Sequence, residues 1–444
     1  GPGQGKTALL RQLALRAAEA WMQKGGGDGT CVPFYLDLRH LQRGVGLDEL
    51  VGRGFVASQL PLDLEDVRAF VRSGPVLLLL DNLDMVTDTY ALAELGLWLE
   101  GSPDGLPACV VACRDSSLAA YRSHLGGLEQ VRMPPWSDAD IRGYLGGNLP
   151  EETASWLAAQ LQTNPSLWEA MRTPLFLAAA VDVCEARGKL SVGALVRALV
   201  EKVLSALLER AVPDAKGGEA AAFAEAKGGL VFPQWLGELA WTLRQQERDT
   251  LPREVAGELA ASSEDASAAS RLPVLLEAGV LCPAEDRKGI RFLHPLLADY
   301  FVAQTLEARM VRGEIGPDAF VVLPGWPGAW AGAMELLCAT WPDAGNLLRT
   351  ILHRDDQEDT LELVARCLRS MQEEPNGSYV PANLLGDSVP AGTLYRLARM
   401  LDGRGVRKAA RLFLEDALRQ VDAGGASDTA TLFLSGAGAS PAAQ

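Results

Sequence analysis

The chain opens on GPGQGKT at residues 1 to 7, and no other segment restricts its fold so tightly. Glycines at this spacing let consecutive backbone N–H groups curl round an oxyanion, while a following helix sets about half a positive charge at the same point. Gly3 and Gly5 meet that requirement, with Gln4 and Ala8 completing the loop that would wrap a nucleotide. The GK[ST] ending assigns Lys6 to the β- and γ-phosphates of ATP, or the β-phosphate of ADP, and the Thr7 hydroxyl to Mg²⁺. The alternative is a chance glycine loop before a helix. Residue 1 already lies inside the motif, so the first strand is expected to be missing and the chain to be the remainder of a longer protein.

The segments downstream give the loop its context. ALLRQLALRAAEAWMQK carries Leu10, Leu13, Ala14, Ala17 and Trp21 at helical spacing, and the glycine cluster GGGDG ends it. CVPFYLDL then reads as a short buried strand, a helical stretch from about Asp66 to Arg72 follows, and VLLLLD is a near-continuous apolar strand closing on an acid. Continuous apolar runs belong to strands covered on both faces, as in parallel sheets. A helix near residues 90 to 100 and the apolar strand ACVVAC complete the alternation. The pattern predicts an α/β P-loop domain with a parallel sheet over residues 1–135.

From Ser137, which stands in capping-box spacing with Asp140, the chain turns helical, and a helical domain is expected over 136–212. PDAKGGEAAAFAEAKGG at 213–229 is Ala/Gly-rich and weakly patterned, as a linker would be. Helices around 253–261 and 267–278, the pair Val280 and Leu281, the turn AEDRKG, the strand-like IRFL and a helix from Pro295 make a winged-helix pattern over 230–305. Residues 306–444 read as a C-terminal helical region, a sensor or a scaffold, with a disordered tail GAGASPAAQ.

Outside the loop, Asp81 ends VLLLLD, at the carboxyl end of a strand where ligands gather in open parallel sheets, and is the second candidate Mg²⁺ ligand. Asp84 lies one turn on and could orient or deprotonate an attacking water; the alternative is a helix-capping residue. Arg114 ends VVACR on the same rim and could face a γ-phosphate, or could sit in a structural salt bridge. Thr173 and Pro174 fit a helix N-cap and first-turn proline without any ligand. His294 before Pro295 is expected to cap a helix with its ring free to face another domain, although a lone histidine is more often a packing or capping residue.

Together these residues resemble the NACHT group of signal-transducing P-loop ATPases, the STAND proteins, a class that includes animal and bacterial innate immune receptors. The resemblance covers residues 1 to about 340 and rests on GPGQGKT, CVPFYLDLRHL, LLLLDNLD, VVACRDSS, PPWSDADIRGYL with TPLFLAAAV, and FLHPLLADYFVA in their order. It implies a nucleotide held between the α/β domain and the winged helix, a closed form with ADP and an oligomeric one with ATP. By the same resemblance Arg114 matches the γ-phosphate sensor, Pro174 the proline beside the base, and His294 the histidine that touches ADP phosphate. An effector N-terminal to the loop, an unknown trigger sensed at the C-terminus and a role in antiviral defence are further implications. Two departures, Asn82 where the family has a very small residue and Met85 where it has an acid, predict slow or absent hydrolysis.

Composition narrows the function classes. A net charge of −16 disfavours non-specific attraction to nucleic acid or anionic lipid. A DNA-binding transcription regulator is a second reading, yet Pro252 to Gln304 holds five basic residues (Arg253, Arg271, Arg287, Lys288 and Arg291) against eight acidic ones. A remodelling ATPase of the wider AAA+ type is a third. Seven scattered cysteines without a CxxC pair suit a reduced compartment and read as small core residues. The longest aliphatic run, VLLLL, is far short of the ~20 residues that span a bilayer, and a cytoplasmic location is expected.

Overall fold

A computed structural model describes residues 3–25, 29–41, 47, 49–52, 63–86, 88–100, 108–114, 118, 121, 128–162, 164–211, 234–262, 268–284, 289–372, 379–381, 384–385, 389–404 and 406–424. The linker at 213–229, the tail GAGASPAAQ, most of GGGDG and most of the AEDRKG turn lie outside them. The chain divides into two compact units, Gly1–Pro135 and Trp136–Gln444.

In the first unit the phosphate loop opens α1 (Lys6–Lys24), followed by β1 (Val32–Asp37), α2 (Leu64–Ser73), β2 (Val76–Asp81), α3 (Thr89–Glu100) and β3 (Ala108–Val111). The strands form a parallel sheet in the order β1-β2-β3, with Asp37 opposite Asp81 and Leu80 opposite Val111. Strand alternation sorts the side chains onto two faces. Leu77 and Leu79 pack with Tyr35 against Leu10, Leu13 and Ala14 of α1. Val76, Leu78 and Leu80 face the other way, with Leu36, Val71 of α2 and Leu92, Leu95 and Leu99 of α3. Asp81 shares parity with Leu77 and Leu79, so the register alone aims its carboxylate to the side where α1 begins.

Two strands are less covered than their sequences predict. CVPFYLDL is expected to be buried, yet Leu36 is the one buried residue within β1, and β3 alternates exposed and half-buried positions, with Val110 39% exposed. Among the described residues both are outer strands, and only β2 is flanked on both sides. The regular ladder also stops at Val111 rather than Cys113, although Ala112 still donates to the Leu80 carbonyl and accepts from Leu83.

The second unit is helical. Helices α4 (Asp138–Asn148), α5 (Glu151–Gln162), α6 (Pro165–Met171), α7 (Pro174–Arg187) and α8 (Val192–Ala211) come first, then α9 (Gln234–Gln245). The next elements are β4 (Leu251–Pro252), α10 (Arg253–Ala261), α11 (Ala268–Ala278), β5 (Leu281–Pro283), β6 (Gly289–Phe292) and α12 (Pro295–Val311). The last described helices are α13 (Ala331–Thr340), α14 (Ala344–Arg354), α15 (Glu358–Ser370), α16 (Ala391–Gly403) and α17 (Arg407–Gly424). The three short strands form an antiparallel sheet in the order β4-β6-β5.

Local caps set several helix starts. Ser137 and Asp140 make a reciprocal capping box on α4, and Pro174 takes the first turn of α7 behind Thr173, whose side chain makes no cap bond. One hydrophobic core runs from Ile141 to Ala417, so the stretches 136–212, 230–305 and 306–444 share a single apolar interior. Cys184, Cys282, Cys338 and Cys367 lie within the interior of this unit as expected, whereas Cys31, Cys109 and Cys113 of the first unit are only half-buried. Among the described residues no helix is long and apolar enough to cross a membrane.

Candidate functional site

The phosphate loop has the backbone that its glycines make possible. Gly3 and Gly5 both take positive φ, 74° and 85°, a conformation that L side chains adopt only under strain. Gly5 is the N-cap of α1, and its carbonyl accepts the Leu9 N–H at 2.8 Å. The helix therefore starts at Lys6, and Gln4, Lys6, Thr7 and Ala8 bracket the end whose N–H groups and dipole attract an anion.

Asp81 completes the arrangement. It is 1% exposed, and its Oδ2 accepts the Thr7 hydroxyl at 2.6 Å and the Tyr35 hydroxyl at 2.9 Å, while Oδ1 accepts the Asn82 N–H at 2.9 Å. A hydroxyl and a carboxylate in contact are the hard oxygen donors that Mg²⁺ selects, so these residues fit the metal that a phosphate loop uses. Burial, reinforced by the hydrogen bond to Asp81, pushes the Tyr35 phenol up to about 12. Burial also lowers the Lys6 ammonium from its ordinary range, opposed by Asp84 and Asp81 and aided by Arg114. Lys6 thus senses all three groups at once.

Asp84 sits in a short 3₁₀ turn, Leu83–Met85, entered through Asn82 at φ 61°. Its carboxylate does not stand apart as a base awaiting water. Oδ2 pairs with Arg114 Nε at 2.8 Å, and Oδ1 accepts the Arg114 backbone N–H at 3.2 Å. The salt bridge considered for Arg114 is therefore the observed contact, and its partner is the other candidate catalytic residue. Tyr121 anchors the same turn by donating to the Val86 carbonyl at 3.1 Å. Cys113 lies beside the group; burial, with Asp84 adding, pushes its thiol up to about 12.

Sequence reasoning missed Tyr35, Asp37 and Tyr121. Asn82 Nδ2 donates to Asp37 at 3.1 Å, and Arg39 forks onto the same carboxylate, which ties the turn after β2 to the end of β1. Strand alternation places Tyr35 and Asp37 on the face of Asp81 once the register is known, but nothing local announces that register.

Pro174 and His294 belong to the second unit, where the fold brings their surroundings together. His294 is the N-cap of α12, and its Nδ1 accepts the Leu296 N–H at 3.1 Å. The ring is not free, as the sequence had suggested, but packs on Phe176 of α7 with centroids 5.2 Å apart. Burial lowers its pKa to about 4, and Glu169 of α6 opposes that shift. An imidazole here is neutral near pH 7.

Comparison with known proteins bears on the first unit and on the opening residues of the second. Residues 1–152 match the family model of the NACHT domain. No curated protein matches the chain. Among solved structures, the ORC2 protein of Aeropyrum pernix in its ADPNP and ADP complexes is 16% identical, over 70% of this chain and 86% of that one, at a TM-score of 0.35. A superposition that loose carries no weight for fold or function. The family match falls on the segment that carries the positive-φ loop, the Thr7–Asp81 contact and the Arg114 rim: residues 1–152 form a NACHT domain, a P-loop NTPase module.

Proposed function

We propose that the chain is the ATP/ADP-binding switch of a STAND-type signalling protein. Exchange of ADP for ATP would control self-association and the activation of an effector, in antiviral defence or related signalling. The observation that carries this reading is the Asp84–Arg114 contact beside Lys6. Each oxygen of the Asp84 carboxylate already accepts one bond from Arg114, which stabilises its charged form and makes it a weaker base toward water. A γ-phosphate offers that arginine a competing anion, so the occupant of the loop can be read as a change of partner rather than as rapid chemistry. Asn82 and Met85 accord with slow hydrolysis.

Lys6 and the amides of the loop would hold the phosphates, and Thr7 and Asp81 would hold Mg²⁺, which when bound neutralises charge on the β- and γ-oxygens. Pro174 and His294 are assigned to the base and the ADP phosphate by resemblance. A neutral His294 suits that role, since its hydrogen-bonding capacity does not fluctuate with protonation near pH 7. Moving a closed state from 1:99 to 99:1 takes ~5.5 kcal/mol of differential affinity, within reach of several charge-assisted contacts.

The test is assembly state, measured by light scattering with ADP and with a non-hydrolysable ATP analogue, alongside the turnover rate. Larger species with the analogue only, tightly retained ADP, low turnover and loss of the response in Lys6→Ala support the switch. Nucleotide-dependent assembly that survives Lys6→Ala refutes it, and fast untriggered turnover refutes it in favour of a remodelling ATPase.

A further inference from the structure

The Asp81 carboxylate is met by more donors than a metal-holding acid requires. Among the described residues three reach it: the Thr7 hydroxyl at 2.6 Å and the Tyr35 hydroxyl at 2.9 Å both end on Oδ2, and the Asn82 backbone N–H ends on Oδ1 at 2.9 Å. A carboxylate oxygen offers two lone-pair positions, so Oδ2 is filled and Oδ1 keeps one position for another partner. The donors come from three places, the first turn of α1, the middle of β1 and the turn after β2. A side chain that is 1% exposed is thereby also held in one orientation.

The sheet gives Tyr35 its reach. In the β1–β2 register Tyr35 lies opposite Leu79 and Asp37 opposite Asp81, and strand alternation puts all four on one face, the face that Leu10 of α1 covers. Asp81 is then the diagonal neighbour of Tyr35 on the next strand, a separation that an aromatic side chain spans. On the helix side, Arg11 stands one turn beyond Thr7 and holds its guanidinium carbon 5.6 Å from the centre of the Tyr35 ring. Burial and the bond to Asp81 keep the phenol protonated far above neutrality, so it remains a donor. A phenylalanine would fill the same space; the hydroxyl adds only the bond to Oδ2.

That bond bears on which cation the carboxylate can accept. Mg²⁺ keeps several of its waters and takes few carboxylate contacts, whereas Ca²⁺ gathers about six to eight oxygens and readily binds a carboxylate through both of its own. We propose that Tyr35 is a positioning residue that sets the metal preference of the site: with Thr7 it fills Asp81 Oδ2, denies a cation the use of both carboxylate oxygens, and so favours Mg²⁺ over Ca²⁺ beside the nucleotide. The assignment rests on the reading of Thr7 and Asp81 as the metal-holding pair. Tyr35 acts on the metal through Asp81, without touching it.

Tyr35→Phe deletes the hydroxyl and leaves the ring beneath Arg11. Leu13→Ala loosens the packing of α1 on the same face of the sheet and leaves the hydroxyl in place. On the full chain, the Kd of a non-hydrolysable ATP analogue is measured with EDTA, with Mg²⁺ and with Ca²⁺, and amide exchange at Asn82 is followed without nucleotide or metal. In the parent the gain in affinity from Mg²⁺ should exceed that from Ca²⁺ about tenfold. Tyr35→Phe is expected to raise the Ca²⁺ gain about tenfold, to keep the Mg²⁺ gain within about threefold, and to speed exchange at Asn82, whose acceptor is less restrained. Leu13→Ala should lower the Tm and keep the parent's metal preference. A parent-like preference or parent-like Asn82 exchange in Tyr35→Phe, or an equal loss of preference in Leu13→Ala, overturns the proposal. If neither metal changes the Kd of the parent, the metal reading of Thr7 and Asp81 falls and the proposal with it. A metal effect that disappears in Thr7→Val, with the preference unmoved in Tyr35→Phe, leaves that reading standing and removes only the role of Tyr35.

Discussion

Arg114 and Asp84 hold each other at two points, the guanidinium Nε on Oδ2 at 2.8 Å and the backbone N–H on Oδ1 at 3.2 Å. Their side chains are 17% and 6% exposed, so each removes much of the other's access to water. Truncating one partner of a buried pair leaves an uncompensated charge, which costs about 3–5 kcal/mol when burial is complete and less here. The contact joins the turn after β2 to the end of β3, and anything that draws Arg114 away must replace Asp84 as its anion.

Replacing Asp84 with Asn should therefore release Arg114 without altering the size of the side chain. ATP affinity is expected to rise relative to ADP by about tenfold, since one charge-assisted contact is freed for the γ-phosphate. Arg114→Ala should abolish the discrimination and lower the Tm of the first unit. Competition titrations with a fluorescent ADP read both effects; equal ATP and ADP affinities in every variant would exclude a γ-phosphate role for Arg114.

Thr7→Val preserves the β-branched shape while deleting the hydroxyl that meets Asp81 Oδ2 at 2.6 Å. Asp81 keeps the Tyr35 and Asn82 donors, so the fold should survive with a Tm change of a few degrees. The gain in ATP affinity on adding Mg²⁺ should shrink by an order of magnitude or more. Calorimetric titrations with and without Mg²⁺ would show this; an undiminished metal effect would remove Thr7 from the metal site.

His294 gives an acid-sensitive signature. Its folded pKa, lowered to about 4, lies below the ordinary value of 6.5, so between those limits the unfolded chain binds the extra proton and the folded one does not. Stability from this group is complete above pH 6.5 and falls as the pH drops toward 4, by on the order of 3 kcal/mol. His294→Asn keeps a cap acceptor and should flatten that slope in urea unfolding curves at successive pH values. A parallel slope in the variant would assign the acid sensitivity elsewhere.

Glu335 has the opposite sign. With its carboxyl pushed up to about 7 from 4.5, the folded chain holds more protons than the unfolded one across that window. Stability is highest at its acid edge and declines by on the order of 3 kcal/mol as the pH rises to 7. Glu335→Gln should remove the decline, so the pH profiles of the His294 and Glu335 variants should diverge in opposite directions from the parent.

The features legible in the sequence are those set by short-range chemistry. GPGQGKT dictates glycines at positive φ and a helix from Lys6; Ser137 with Asp140, Thr173 with Pro174, and His294 with Pro295 mark helix starts within a few residues. The run VLLLLD declares a strand covered on both faces, and of the positions that the spacing of α1 predicts, Leu10, Leu13 and Ala14 pack on the sheet, Leu10 being the buried one. Each of these follows from backbone propensity or hydrophobic period, which neighbouring residues determine among themselves.

Partnership across the fold is another matter. That Asp84 faces Arg114 thirty residues on, that Tyr35 reaches Asp81, that the His294 ring lies on Phe176, and that Asn164 meets Glu335 are outcomes of sheet register and helix packing. The exposed positions of β3 likewise depend on which strand lies at the margin of the described sheet. By itself the sequence determined where a phosphate could be held and where most helices begin. Only the tertiary structure decided which charges are paired, because burial and distance, the two quantities that set the energy of an ion pair, exist only once remote segments have packed.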